Sequence, residues 1–181
     1  SQSYYNADKW RGTIKYDGGA LMNQASHYID LIDWFFGPIK KINSFSSTLE
    51  RKIEVEDTAI INFKTKNSLG SLAVTMLSYE KNFEGSLTII SEKGSIKIGG
   101  LALNSIKEIN LKNKKIEDKL KKLSYNIENI YGNGHVPYYE NIGMTLNNKA
   151  KPSTDGYEGL KSLKLIIKSY ESSKKNINIK I

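Results

Sequence analysis

The chain has 181 residues, enough for one compact domain with its own core or for two small ones. A 39% hydrophobic and 25% charged composition is ordinary for a globular protein, and no apolar run nears the roughly 20 residues of a membrane span, so no membrane partner is expected. The formal charge of +8 does not read as nucleic-acid binding: Arg11 and Arg51 are the only arginines, the lysines are scattered among Asn and Ile, and the densest run, "KNKKIEDKLKK" at 112–122, is broken by acids.

The start, Ser-Gln-Ser-Tyr-Tyr, has no initiating Met, basic stretch or apolar run, so it reads as a cut inside a longer protein rather than a targeting segment. After an N-terminal loop carrying Trp10, Arg11 and Gly12, the pair Gly18-Gly19 precedes a helix expected from about Leu21 to Phe36. Gly37 suits a left-handed C-terminal residue and Pro38 prevents continuation. Leu21, Ala25, Tyr28, Ile29, Ile32, Phe35 and Phe36 form its apolar face. Asn23, His27, Asp30 and Trp34, spaced 4, 3 and 4, fall opposite and point away from the domain's own core.

Five β-rich segments follow, at 40–50, 56–65, 70–78, 85–91 and 94–99. Their short links allow only antiparallel neighbours, so a meander of five or more strands with one face to be covered is expected. Between 100 and 131 two readings stay open: "IKEINLK" suits another strand, and Ile116, Leu120, Leu123, Ile127 and Ile130 keep helical spacing. "GNGHVPYY" (132–139) breaks the pattern, and Pro137 can begin a short helix reaching Leu146. Asp155 with Glu158 resembles a capping box for a last helix with Leu160, Leu163, Ile167 and Tyr170 as its buried stripe, and "NINIKI" closes as a strand. With no repeat and no Pro-, Gly- or Ser-rich linker, residues 1–181 read as one domain.

No P-loop, GxSxG, zinc spacing or GxGxxG after a strand is present. The absence of cysteine excludes disulfides and thiolate ligands and fits a cytoplasmic protein. Two histidines without clustered carboxylates give no metal site. For His27 the bland reading is a solvated polar helix face. Against it, Trp34 shares the stripe, and a large aromatic aimed away from its own core packs on something else. Asn23 lies one turn before His27, so amide and imidazole can address one polar group, and histidine is the natural proton-transfer residue near neutral pH. Arg11 beside aromatic residues suits a phosphate or carboxylate, against an ordinary loop role. His135, between Gly134 and Tyr138, reads equally as a loop histidine and as a site residue.

The stretch "WRGTIKYDGGALMNQASHYIDLIDWFFGPI" (10–39) resembles the start of the C-terminal domain of Gfo/Idh/MocA-type oxidoreductases. It is most similar to the branch of UDP-N-acetyl-2-amino-2-deoxyglucuronate dehydrogenases, which serve O-antigen and other surface-polysaccharide biosynthesis, lipopolysaccharide included. The likeness continues through "VEDTAIINFKTKNSLGSL", "FEGSLTIISEKGSIKI", "YGNGHVPYYENI" and "DGYEGLKSLKLIIKSYESS", leaving out the lysine-rich 107–125. It implies an α+β fold, an open and mostly antiparallel sheet with helices packed on one face. This C-terminal domain would bind substrate and oligomerise, while NAD(P) is held mainly by an N-terminal Rossmann domain that this sequence does not contain.

On that likeness His27 stands where the family's histidine acts with a lysine of the missing domain on the hydroxyl being oxidised, at C3 of a nucleotide sugar. Asn23 replaces an aspartate common in other members; an amide cannot transfer a proton, so Asn23 would orient substrate or His27. Arg11, Trp10, Tyr5 and Tyr4 are the substrate candidates, with His135 and Tyr138 from the later segment. The expected partners are the nucleotide sugar, the chain's own Rossmann domain and further copies bound through the sheet face. The alternative is a non-catalytic binding or scaffold domain of the same fold.

Overall fold

The computed structural model describes residues 1–100, 102–127 and 132–181. In chain order it contains α1 (Gln2–Asn6), α2 (Ala20–Asn23), α3 (Ser26–Phe36), β1 (Lys41–Ser47), β2 (Thr58–Lys64), β3 (Leu69–Thr75), β4 (Leu87–Ser91), β5 (Gly94–Gly99), β6 (Ser105–Leu111), α4 (Lys114–Lys121), α5 (His135–Leu146), α6 (Gly156–Lys175) and β7 (Ile179–Lys180). These divide into two compact units, residues 1–78 with 154–181, and residues 79–153.

In the first unit a sheet of order β3-β2-β1-β7 is antiparallel throughout. Side chains alternate along β2: Ala59, Ile61 and Phe63 are buried, while Ile60, Asn62 and Lys64 are exposed. On the inward face Ile42, Ile61 and Phe63 meet Leu21, Ile29 and Ile32 from α2 and α3 and Leu165 and Ile166 from α6. The expected antiparallel sheet with helices on one face is therefore present. The meander does not run on as a single sheet, because residues 76–86 join no strand. In the second unit β4, β5 and β6 form a separate antiparallel sheet.

Helix α6 meets the sheet on a different side from the one its apolar residues suggest. Ser162, Leu165, Ile166, Ser169 and Ser172 are buried, whereas Leu160, Leu163 and Ile167 are exposed and Tyr170 is half-buried. The cause is a pairing of polar groups. β7 bonds β1 only at Lys41 and Ile42, leaving N–H groups further along that edge. Ser44 N–H donates to Ser172 Oγ at 3.0 Å and Ser46 N–H to Ser173 Oγ at 2.9 Å. Buried backbone donors must be paired, and serines are small enough to let the helix approach and supply the oxygens.

The start of α6 is capped by Asp155, whose Oδ1 accepts from Tyr157 N–H and Glu158 N–H. Only half of the capping box forms, since Glu158 pairs with Lys161 Nζ instead. At the other end Asn176 takes a left-handed conformation.

Two further differences concern helices. The expected helix 21–36 is broken: the N–H groups of Gln24 and Ala25 both donate to Ala20 O, ending α2 before α3 begins. Asn23 and Ser26 flank the break, residue types whose side chains compete with the helix backbone. Phe35, expected on the apolar face, is exposed. Gly37 has φ +75° with an extended ψ of −179°, a positive-φ backbone that favours glycine but is not the left-handed helical form expected there.

In the second unit "IKEINLK" is strand β6, and helix α4 stops at Lys121, so Leu123 lies beyond it and exposed. Ile130 lies outside the described residues. Glu117 on α4 is buried, accepting from Leu111 N–H at 2.7 Å, Lys121 Nζ at 2.7 Å and Lys114 Nζ at 2.9 Å. That backbone donor and then the two ammonium groups pull its carboxyl down to about 2. Helix α5 begins at His135, two residues before Pro137, because the first turn makes no use of a proline's missing N–H.

Candidate functional site

The polar stripe of the first unit starts where α2 is anchored. Glu56 is 8% exposed; its carbonyl accepts from Ala20 N–H at 3.0 Å, and its Oε1 accepts from Leu21 N–H at 2.8 Å and from Tyr170 OH at 3.0 Å. A Cβ on Gly19 would occupy the space of that carboxylate. Burial, and then the Glu56 charge, push the Tyr170 phenol far above its ordinary range. The first N–H groups of α2 are thus consumed by the backbone carbonyl and the carboxylate of Glu56. The glycine pair makes room for Glu56 and forms no phosphate cradle.

Asn23 ends α2, and its Nδ2 donates to Asp17 Oδ1 at 2.7 Å. The other Asp17 oxygen accepts from Gly12 N–H at 2.6 Å, linking Asn23 to the Trp10-Arg11-Gly12 loop. Gly12 has φ +72°, and a Cβ there would strike Ile53. His27 is the second residue of α3, exposed, and makes no side-chain hydrogen bond among the described residues. Trp34 is 75% exposed. Asp30 is different: its Oδ1 accepts from Ser162 Oγ at 2.6 Å, tying α3 to α6.

Around the loop, Arg11 lies 4.2 Å from the Tyr4 ring centroid and 5.5 Å from that of Trp10. Its Nη1 donates to Tyr4 O at 3.0 Å and its Nη2 pairs with Asp8 at 2.7 Å, while Nε is buried without a partner among the described residues. Tyr4 and Tyr5 meet edge to face at 5.2 Å, and burial, then Asp17, raise the Tyr5 phenol. A second buried acid holds the adjoining loop. Asp57 is fully buried and accepts from the N–H groups of Leu49, Glu50 and Arg51. Burial alone would raise its carboxyl; the three backbone donors outweigh that and hold it below the usual range. From that loop Glu54 N–H donates to Gly12 O at 2.9 Å.

Asn23, Arg11, Trp10, Tyr4 and Tyr5 therefore share one bonded neighbourhood of the first unit, with His27 nearby along the chain. His135 and Tyr138 belong to the second unit, both exposed on the first turn of α5, where Tyr138 stacks edge-on with Tyr139 at 5.5 Å. Asp17 and Glu56 were not singled out by sequence reasoning, and Tyr170 was read only as part of the buried stripe of the last helix. Asp17 stands directly before the glycine pair and is the one with a local signal. Among the described residues no cluster of His, Cys, Asp and Glu could hold a metal ion, and no helix is long and apolar enough to cross a membrane.

Residues 1–181 match the family described as "Oxidoreductase family, C-terminal alpha/beta domain", and the chain belongs to this Gfo/Idh/MocA family. Among solved structures, the WlbA dehydrogenase from Bordetella pertussis, in complex with NADH and UDP-GlcNAcA, is 43% identical over 100% of this chain and 53% of its own, with a TM-score of 0.92. The WlbA dehydrogenase from Chromobacterium violaceum, with the same two ligands, is 45% identical over 100% of this chain and 51% of its own, at a TM-score of 0.90. A levoglucosan dehydrogenase with NADH and levoglucosan shares the fold at 17% identity, 95% and 53% coverage and a TM-score of 0.79. The chain thus spans about half the length of these structures. No curated protein sequence matches it.

Proposed function

We propose that this chain is the substrate-binding C-terminal domain of an NAD(P)-dependent dehydrogenase that oxidises the C3 hydroxyl of a UDP-N-acetylglucosaminuronate-type nucleotide sugar. The observation that carries the reading is the exposed His27 imidazole four residues after a tethered Asn23 amide, in a chain 43–45% identical to dehydrogenases solved with NADH and UDP-GlcNAcA. His27 takes the hydroxyl proton together with a lysine of an N-terminal Rossmann domain, and Asn23 orients the sugar. Arg11, Trp10, Tyr4 and Tyr5 line the approach, and His135 and Tyr138 of the second unit are retained as substrate candidates on the family likeness alone. Arg11 enters this role already engaged by Asp8 and Tyr4, which fix its guanidinium beside the aromatic rings.

NAD(P), when bound, supplies the hydride acceptor, and the Rossmann domain holds it. The glycine-led start of α2 is blocked by Glu56, which fits a chain that contributes proton handling and substrate contacts. The alcohol loses a hydride to the nicotinamide and a proton to His27, giving a ketone, NADH and H⁺. The reading places the enzyme in the cytoplasm, in the synthesis of surface polysaccharide such as lipopolysaccharide O-antigen.

The test uses the full-length product of the gene with UDP-GlcNAcA and NAD⁺. Formation of NADH together with a nucleotide sugar lighter by two hydrogens is expected, and the 181-residue chain by itself is expected to give none. Sugar binding without any oxidation by the full-length protein would replace this reading with that of a binding or scaffold domain.

A further inference from the structure

The geometry points to Asp17 as the positioning residue of this site: its carboxylate fixes which end of the Asn23 amide faces the substrate. The inference rests on the dehydrogenase reading and deepens it.

In an unbroken helix the backbone would hold Asn23 and His27 in register one turn apart. Here the chain breaks between them, with the N–H groups of Gln24 and Ala25 both on Ala20 O, so helical register does not fix the Asn23 side chain. What fixes it is the 2.7 Å bond from its Nδ2 to Asp17 Oδ1. An ionised carboxylate only accepts hydrogen bonds, so it selects the amide's nitrogen end and leaves Oδ1 as the outward group. That oxygen accepts from Gln24 Nε2 at 3.1 Å, an exposed pair between chain neighbours that a substrate hydroxyl can displace. Asn23 is therefore an acceptor toward the substrate and selects a donor there.

The second Asp17 oxygen accepts from Gly12 N–H at 2.6 Å. Gly12 is buried, and a side chain on it would strike Ile53, so the loop has little freedom to shift. One carboxylate thereby sets both the amide and the Trp10-Arg11-Gly12 loop.

The arrangement can be inverted without losing a bond. In the double variant Asp17→Asn with Asn23→Asp, the new amide at 17 donates to the carboxylate at 23, while its oxygen still accepts from Gly12 N–H. Each single variant breaks the pattern: Asp17→Asn lets the Asn23 amide turn round and present its nitrogen outward in place of its oxygen, and Asn23→Asp sets two carboxylates against each other. In the full-length enzyme with UDP-GlcNAcA and NAD⁺, each single variant is expected to lose roughly tenfold or more in kcat/KM, the effect of one hydrogen bond to a charged group. The double variant is expected to recover most of that loss. Loss of folding alone would show in the thermal midpoint and would not follow this crossed pattern. The inference is overturned if the wild type is active and either the single variants match it or the double variant is no better than the worse single one. If the wild type neither binds nor oxidises the sugar, the dehydrogenase reading falls and this role of Asp17 falls with it.

Discussion

Gly19 and Glu56 illustrate how one position constrains another far along the chain. The carboxylate sits where a Gly19 side chain would be and holds the first turn of α2 through Leu21 N–H. Gly19→Ala is therefore expected to destabilise the protein by about 1–3 kcal/mol, the usual cost of forcing a methyl group into a filled interior. Thermal or urea unfolding checks this, and an unchanged midpoint would mean that Glu56 has room to move. His27 and Asn23 could be singled out as candidates in the sequence because their spacing is local and their residue types carry chemistry. Glu56 was not, because its partners lie 35 and 114 residues away and nothing near it in sequence marks a cap.

At the scale of elements, strands were read more reliably than helix faces. Alternation in β2 is a two-residue pattern that packing on one side enforces, and it survives intact. Helix α6 misled because Leu160, Leu163 and Ile167 look like a core stripe while the sheet edge needs the serine oxygens opposite. The break between α2 and α3 was equally hidden, since the apolar spacing of Leu21, Ala25 and Ile29 continues across it. Electrostatics gives a prediction for α4. The Glu117 carboxyl lies at about 2 in the folded chain, below its ordinary 4.5, so the folded state favours the charged form. Its stabilisation is full above that ordinary value and fades as pH falls toward 2. Glu117→Gln should thus lower the melting temperature at neutral pH, with the gap to wild type closing across that acidic window. A gap that persists at the acid end would show that packing, and not charge, is what Glu117 supplies.

At the scale of the whole molecule, the outward face of the first sheet aligns Phe45, Ile60 and Ala73 across neighbouring strands. Phe45 is 56% and Ile60 43% exposed, apolar side chains side by side on the outward face of the sheet. We propose that this face joins copies of the full-length enzyme. Phe45→Glu with Ile60→Glu is expected to shift its sedimentation toward monomer, and an unchanged assembly would place the interface elsewhere. The wild-type enzyme remaining monomeric at high concentration would remove the oligomer altogether.

The central claim is that His27 handles the proton of the hydroxyl being oxidised. The most direct measurement is steady-state oxidation of UDP-GlcNAcA by the full-length enzyme carrying His27→Asn. The account predicts a kcat lower by about 10²–10⁴-fold, the range for loss of a positioned proton-transfer group, with KM changed only a few-fold. A variant that retains kcat within about threefold of wild type would contradict it.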